Sequence, residues 1–361
     1  MTSCKPLADL VAECIELAKL VPSSHNCQPW QVQWYAQSVP FDGRLQIGFD
    51  PDNIINALPA LQNEMWMSLA GFSAVLINLL EATGITCVVS SPITSGTNNA
   101  TCEHPYILEA QLTYHPERIN HARLNQIKSL LEQRYTYRGA LTGNKKLAVH
   151  DRILSTVLWH SPNIEWQSIE GDKHLKTAEL VARFASQDFK HAKAWRETYA
   201  FIDFSKTPNK EAERGFNIQQ LMGPMSLIKR RAHQLLLNPL SMRVLAKLGV
   251  ADSMAQVLSQ LTAQSSQIIC LCKKSTQSTF DWLCAGQKMI EMWLQATAQG
   301  LAIHPLSVLL QHPEAKAALH EQLGEEHHPL FIARVGKSDA DPEFIAQFRY
   351  RAALPRILKQ H

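Results

Sequence analysis

Two long apolar helices that carry the same small residues at matching positions are predicted, one in each half of the chain. The first spans residues 65–85 and the second spans residues 281–301. Each has a glycine near its start, an Ala-Thr pair near its end and a terminal glycine suited to a C-cap, and each leads into a short apolar strand. A glycine inside a helix costs about 1 kcal/mol relative to alanine, so its recurrence predicts close helix packing or a nearby ligand. The repeat predicts an α+β chain made of two related halves.

Composition excludes several classes of function. The 361 residues are 45% hydrophobic and 19% charged, with a net charge of +3. That charge is too small to indicate a nucleic-acid partner. No run approaches the roughly eighteen uninterrupted apolar residues of a membrane span, so no membrane partner is expected. The densest basic run, residues 229–231, is predicted to be a solvated helix face.

The N-terminus and the cysteines predict a cytoplasmic location. Residues 1–6 lack the apolar core and the cleavage site of a secretory signal. The eight cysteines are scattered, which favours reduced thiols and no metal site. Cys270 and Cys272 fall on a predicted strand, where we expect their thiols to point to opposite faces.

A polar turn between two packed elements is the strongest local signal. Residues 22–30 read PSSHNCQPW. Apolar residues at helical spacing precede the turn from position 7 to 21, and alternation typical of a strand follows it from 31 to 35. Pro22 ends the helix because the residue before a proline is disfavoured in the α region. Such a turn presents serine and amide groups rigidly, which suits a flat, hydrogen-bonding ligand.

The motif Pro-Ser-Ser-x-Asn-x-Gln-Pro-Trp resembles the signature of flavin-dependent nitroreductases, in which this turn lies against FMN. The resemblance implies that the side chains of Ser23, Ser24, Asn26 and Gln28 bind the cofactor. The alternative is a helix-end turn that is rich in serine and asparagine and binds nothing.

A second motif is Arg134-x-Thr136-x-Arg138. Alternate residues of an extended segment share a face, so two guanidinium groups and a hydroxyl are expected to converge there. The planar guanidinium suits phosphate. The resemblance implies that Arg134 and Thr136 hold the FMN phosphate and that Arg138 lies at the pyrimidine edge of the flavin. A pair of surface arginines is the alternative.

A third motif follows the second long helix at residues 300–307, GLAIHPLS. It resembles the nitroreductase turn that covers one flavin face. The resemblance implies cofactor contacts from Pro305, Leu306 and Ser307, with the Ser307 backbone N–H near flavin N5. Many nitroreductases have glutamate where Ser307 stands, but a backbone contact would survive that change. No acid or base residue is required, because the flavin performs the chemistry.

The C-terminal segment carries a fourth motif. Arg349 and Arg351 form a basic-x-basic pair, which by the same resemblance is directed at phosphate. The alternative is a basic tail. One family element is missing, since residues 251–266 offer no Asn-x-x-Lys at the expected spacing.

The two halves are unequally complete. The second opens with the arginine motif, then a predicted helix over 153–158 and a weak echo of the first turn at 159–166. This arrangement resembles the Acg-like group of fused nitroreductase-like proteins. It implies a nitroreductase-like first half at 1–125 and a second half at 126–361, each with a small mixed sheet flanked by helices. An insertion at about 195–249, rich in aromatics, is predicted to be a lid.

The resemblance implies an FMN oxidoreductase. NAD(P)H would donate a hydride and a nitroaromatic, a quinone or a similar acceptor would then be reduced, in a ping-pong cycle. The main alternative is a flavin-sequestering protein whose closed lid prevents turnover. A flavin-free relic, and an enzyme that fragments flavin or oxidises peptide azolines, are also open. The chain is expected to be a monomer with an intramolecular pseudo-dimer, or a homodimer.

Overall fold

The computed structural model describes residues 7–37, 41–94, 106–148, 151–207, 212–274 and 277–361. The N-terminal residues 1–6 and part of the predicted lid, 208–211, lie outside the described residues. The helices are α1 Leu7–Ala18, α2 Leu61–Ala82, α3 His121–Gln133, α4 Asp172–Phe184, α5 Ser186–Lys190, α6 Ala192–Ala200, α7 Ile218–Met222, α8 Leu227–Leu237, α9 Pro239–Leu245, α10 Val250–Ala263, α11 Thr279–Ala298, α12 Val308–Gln311, α13 Pro313–Leu323, α14 Pro342–Gln347 and α15 Leu354–Ile357. The strands are β1 Trp30–Ala36, β2 Asp42–Phe49, β3 Ile85–Ser90, β4 Leu108–Tyr114, β5 Leu141–Thr142, β6 Ile164–Ile169, β7 Ile202–Asp203, β8 Phe216–Asn217, β9 Gln267–Lys273, β10 Ala302–Pro305, β11 His328–Ser338 and β12 Leu358–Gln360. The α+β prediction is confirmed.

The first sheet has the order β12-β1-β2-β4-β3. Its pairs are antiparallel except for the edge pair β1–β12, which is parallel with Val32 opposite Leu358. The alternation predicted for β1 is present, since Trp30, Val32 and Trp34 are buried. The C-terminal strand therefore completes the sheet formed by the first part of the chain.

The second sheet has the order β10-β11-β9-β6, with β5 added to β11, and all of its pairs are antiparallel. The sulfurs of Cys270 and Cys272 on β9 lie 3.4 Å apart. Our expectation that they point to opposite faces is wrong, because side chains two residues apart on a strand share a face. The six described cysteines are all free thiols.

The two long helices α2 and α11 cross at their glycines. A Cβ on Gly71 would lie 3.5 Å from the Gly286 carbonyl oxygen, and one on Gly286 would lie 2.2 Å from the Met67 carbonyl oxygen. The close packing predicted from the repeated glycine is thus confirmed. Among the described residues, α2 is the one helix long and apolar enough to cross a membrane, and 94% of its most apolar stretch is buried inside the protein.

The helix predicted over 153–158 is wrong, because that segment is irregular. Its backbone N–H groups are taken by side chains of the central helices rather than by a helical ladder. Glu291 accepts from the amides of Ile153 and Leu154, and Gln287 accepts from those of Leu158 and Trp159. The first helix also ends early, at Ala18 instead of Val21.

The predicted insertion forms a small apolar core of its own. Its buried side chains come from α6, the short pair β7–β8, α8 and α9, and they include Trp195, Ile202, Phe216, Leu237 and Met242. The indole N–H of Trp195 donates to the Leu237 carbonyl at 2.8 Å, which fastens α6 to the end of α8. The division of the chain at residues 125/126 and the bounds 195–249 for the insertion stay predictions.

Candidate functional site

A cavity of about 420 Å³ lies where the polar turn, α2, the segment 136–138, the β10–α12 turn and the insertion meet. That volume is within the range of small-molecule sites. Seven of the predicted site residues line it: Ser23, Ser24, Thr136, Arg138, Pro305, Leu306 and Ser307. Segments from three of the four sequence motifs therefore meet at one place.

The polar turn is held in an unfavourable backbone conformation. His25, Asn26 and Gln28 have φ values of 48°, 52° and 54°, and no other described residue except glycine has a positive φ. Such conformations cost of order 1 kcal/mol or more each and persist where the surroundings enforce them. Ser23 supplies part of that enforcement, because its carbonyl accepts from the Asn26 amide and its Oγ accepts from the Gln28 amide, both at 3.0 Å.

The side chain of Asn26 faces away from the cavity and joins two distant segments. Its Nδ2 donates to the carbonyls of Gly215 and Tyr350, each at 2.9 Å, and its Oδ1 accepts from Arg351 at 3.1 Å. Because every polar atom of the amide is used in this way, the described geometry gives Asn26 a role in holding the turn.

Gln28 has the same kind of role. Its Nε2 donates to the Glu213 carbonyl at 2.6 Å, and its Oε1 accepts from the Ala352 amide at 3.0 Å. Gln28 is 2% exposed. The sequence identified the turn correctly, but these two amides bind protein backbone rather than line the cavity.

Arg134, Arg349 and Arg351 form a cluster beside the cavity. Arg134 is 4% exposed and lies over the Trp293 ring at 5.2 Å, and Trp293 itself lines the cavity. Arg349 donates to the Arg134 carbonyl at 2.6 Å, and both Arg134 and Arg351 donate to the Leu20 carbonyl. Thr136 and Arg138 line the cavity and Arg134 does not, whereas we expected the three to share one face.

The cluster has no direct ion-pair partner. No carboxylate of the described residues forms an ion pair with any of its three arginines, although Glu132 lies close enough to act on Arg349. The Nε and Nη1 of Arg134 and the Nε of Arg351 are buried without a hydrogen-bond partner. Burial lowers the pKa of Arg134 well below its usual range and the pKa of Arg351 to about 9. Repulsion from the neighbouring arginines is the second cause in both cases. This is the electrostatic character of an anion site.

Arg138 places a cation in the cavity itself. Its guanidinium lies over the Phe216 ring at 5.0 Å, and burial lowers its pKa to about 10, so it stays charged at neutral pH. The fully buried Arg334 donates to the Arg138 carbonyl at 2.7 Å and to the Gly139 carbonyl at 2.8 Å. Arg334 also donates to His304 Nδ1 at 3.0 Å. Arg334 therefore fixes the backbone that carries Arg138.

Glu64 and His25 are cavity residues that the sequence reasoning missed. Glu64 projects from α2, accepts from Gln311 at 2.8 Å and shares hydrogen bonds with the hydroxyls of Ser24 and Ser307. Burial raises its pKa, whereas burial and the nearby Arg138 lower the pKa of His25 to about 4. Glu64 is one of only two carboxylates in the otherwise apolar α2, and this was the available signal for it. His25 occupies a variable position of the motif, which gave no signal.

The remaining walls are apolar and come mainly from the insertion and α10. They include Trp195, Ile202, Phe216, Leu221, Met222, Leu237, Met254, Val257, Leu258 and Leu261. Met222 is 45% exposed and Val257 is 57% exposed, so the cavity reaches the surface beside them. Among the described residues no group of three or more metal-ligating side chains is present.

The sequence of this chain is similar to that of a known protein. No family model matches the chain. The chain is 28% identical over 345 residues to a protein of a Serratia species named as a probable NAD(P)H nitroreductase, PigM, and the match covers 90% of this chain and 87% of that protein. The sequence is thus similar to a nitroreductase over nine tenths of its length.

Solved structures give partial superpositions. The FMN-dependent nitroreductase NfnB of Mycobacterium smegmatis, in complex with NADPH, is 17% identical, and the match covers 63% of this chain and 94% of that one with a TM-score of 0.35. A nitroreductase-like family protein of Bacillus cereus is 13% identical, over 59% of this chain and 86% of that one, with a TM-score of 0.30.

Proposed function

We propose that this chain is an NAD(P)H-dependent FMN oxidoreductase that reduces a nitroaromatic, a quinone or a similar acceptor. The observation that carries the proposal is the cavity, in which three separate motif segments meet around the charged Arg138. The sequence similarity to a probable NAD(P)H nitroreductase supports the same conclusion.

The residues present fit FMN. The phosphate would be held by the arginine cluster, because Arg134 and Arg351 have buried N–H groups that no described residue satisfies. Arg349 adds a third cation. A flat ring system would lie in the cavity between Ser23, Ser24 and Thr136 on one side and the turn 305–307 on the other. When bound, FMN would supply hydride acceptance and donation.

The chain's own groups would bind, orient and shield. Arg138 would attract the negatively charged edge of the ring, since a cation in a half-buried site is poorly screened. The backbone N–H of Ser307 has no acceptor among the described residues, so it is available to a ligand. The aromatic and aliphatic side chains of the insertion would exclude water from the reacting atoms.

The two-fold organisation of the chain is part of the proposal. The crossing of α2 and α11 at Gly71 and Gly286, and the strand that follows each helix, support a fused pseudo-dimer. One chain would then supply both sides of the site, as a monomer or as one protomer of a homodimer. A cytoplasmic location is proposed with it, supported by the six described cysteines, all of which are free thiols.

The first experiment is an absorbance spectrum of the purified protein supplied with FMN, followed by anaerobic addition of NADPH and of NADH. We expect a bound flavin that bleaches. A bound flavin that stays oxidised would support the sequestering alternative, although the exposure of Met222 and Val257 at the cavity mouth disfavours it. A protein that binds no flavin would refute the proposed function.

Arg138→Met tests the assignment of the cavity cation. A hydrogen bond to a charged group contributes about 1.5–3 kcal/mol, so FMN affinity should fall by roughly 10- to 100-fold. Arg243→Met is the matched control, because Arg243 is an exposed arginine away from the cavity lining. Equal affinities of the two variants would show that Arg138 does not bind the cofactor.

A further inference from the structure

The insertion exposes an apolar surface that the cavity does not use. We call residues 227–248, which comprise α8, α9 and the following single 3₁₀ turn, the apolar hairpin. Of the twelve large apolar residues exposed in the described part of the chain, seven fall in it: Leu227, Ile228, Leu235, Leu236, Leu240, Val244 and Leu248. Their exposure reaches 82% at Ile228 and 74% at both Leu240 and Leu248. A concentration of exposed apolar side chains on one folded element is typical of an interaction site.

The exposed residues follow helical faces. Leu240 and Val244 are spaced four residues apart on α9, and Ile228 and Leu235 are spaced seven apart on α8, so each pair lies on one side of its helix. Leu248 follows in the 3₁₀ turn. The opposite faces are occupied, since Leu237 and Met242 are buried in the insertion's own core. The apolar hairpin is therefore a folded element with one buried face and one outer face that no described residue covers.

The same surface is strongly positive. Residues 214–251 contain six arginines and lysines and no aspartate or glutamate. Four of these cations are exposed on the apolar hairpin: Lys229, Arg231, Arg243 and Lys247. Arg230 is 4% exposed, so the basic run is only partly the solvated face that the sequence suggested.

Among the described residues, no carboxylate forms an ion pair with any of these four cations, and three acidic residues of neighbouring helices have other partners. Asp252, at the start of α10, pairs with Lys190 at 2.6 Å. Glu197 on α6 accepts from the backbone amides of residues 56 and 57. Asp188 on α5 pairs with His312 at 2.6 Å. The apolar hairpin thus exposes leucines, isoleucine and valine together with cations that have no ion-pair partner among the described residues.

We propose that the apolar hairpin docks the protein on an anionic lipid surface. Helices with a basic polar side and an exposed aliphatic side lie in the bilayer interface, where acyl chains take the apolar residues and acidic headgroups attract the cations. A second copy of the chain fits less well. A two-fold interface brings the same surface against itself, which would place four cations against four cations.

The mouth of the cavity lies close to the apolar hairpin in the chain. Met222, just before α8, and Val257, on α10, both line the cavity and are exposed. Leu237, at the end of α8, lines the cavity from within. Docking would therefore bring the cavity mouth near the lipid interface, where apolar substrates concentrate.

Vesicle flotation tests the proposal with the full chain. Vesicles of phosphatidylcholine alone are compared with vesicles that also contain phosphatidylglycerol. We expect the protein to float with the anionic vesicles only, and to be released as the salt concentration rises. Failure to float with anionic vesicles would overturn the proposal, as would equal binding to both vesicle types.

Two pairs of substitutions separate the apolar and the charged contributions. Leu240→Ser with Val244→Ser removes aliphatic side chains, and Lys229→Glu with Arg231→Glu reverses two charges. Because all four residues are exposed, the variants should fold, and each pair should lower vesicle binding by about tenfold or more.

The control pair is Val88→Ser with Leu175→Ser, two exposed apolar residues outside the apolar hairpin, and it should bind vesicles like the wild type. Vesicle binding by the apolar pair at the wild-type level would overturn the proposal. So would a wild-type dimer, seen by analytical ultracentrifugation, that the apolar pair dissociates while anionic vesicles have no effect. That result would assign the surface to a second copy of the chain.

Discussion

The crossing of α2 and α11 should tolerate a methyl group at one glycine and reject it at the other. A Cβ at Gly286 would lie 2.2 Å from the carbonyl oxygen of Met67 and 2.6 Å from its Cα. A Cβ at Gly71 would meet the Gly286 carbonyl oxygen at 3.5 Å and the Ile290 Cβ at 3.6 Å, which are ordinary contacts. Gly286→Ala and Gly71→Ala are therefore a matched pair with opposite expected signs.

The magnitudes follow from two effects. Alanine is favoured over glycine inside a helix by about 1 kcal/mol, so Gly71→Ala should raise the free energy of unfolding by up to about that amount. At Gly286 the same gain is opposed by a clash with main-chain atoms, which cannot rotate aside. Overpacking typically costs about 1–3 kcal/mol, and a backbone neighbour places this site at the upper end. The net change for Gly286→Ala should be a loss of about 2 kcal/mol.

Urea unfolding followed by tryptophan fluorescence measures both variants. FMN affinity should also fall in Gly286→Ala, because α2 carries Met67 and α11 carries Trp293 into the cavity wall, and separating the helices displaces both. An unfolding midpoint of Gly286→Ala equal to the wild type, or an equal loss in Gly71→Ala, would refute the described crossing.

Three further predictions concern the cavity. The pKa of His25 is lowered to about 4, so below pH 6.5 the unfolded chain binds a proton at this residue that the folded chain does not. The free energy of unfolding should therefore fall by up to about 3 kcal/mol as the pH is lowered from 6.5 to 4. His25→Asn, which suits the left-handed backbone, should flatten that dependence in urea titrations. Burial raises the pKa of Glu64, so the folded state retains a proton that the unfolded state loses above pH 4.5. The free energy of unfolding should therefore decrease as the pH rises through that value. An unchanged pH profile in Glu64→Gln would contradict the assignment. Fluorescence titration should give one FMN per chain, and a stoichiometry of two would show a second site that the geometry does not support.

Local signals in the sequence predicted the positions of the motif turns well. Proline, glycine and short polar residues determine backbone conformation within a few positions, and so the turns at 22–30 and 300–307 were found without long-range information. The same holds for the glycines of the central helices, whose recurrence indicated close packing that the structure shows at Gly286.

The direction of individual side chains could not be read in the same way. Asn26 and Gln28 were assigned to the cofactor, yet their partners are backbone groups near residues 213–215 and 350–352. Arg134 packs on an indole ring contributed by α11 and does not line the cavity. Segment 153–158 has apolar residues at helical spacing, but carboxylate and amide groups of α11 bind its amides. In each case the deciding partner is more than a hundred residues away in sequence, where pattern and propensity carry no information.

The polar turn at 22–30 is held by partners that are distant in sequence. The groups that hold Asn26 and Gln28 come from residues 213–215 and from the C-terminal residues 350–352. The segment 153–159 is held instead by Glu291 and Gln287 of α11. A strained turn persists only where its surroundings enforce it. The conformation of the turn at 22–30 therefore depends on residues 213–215 and 350–352, which lie more than a hundred residues away in sequence.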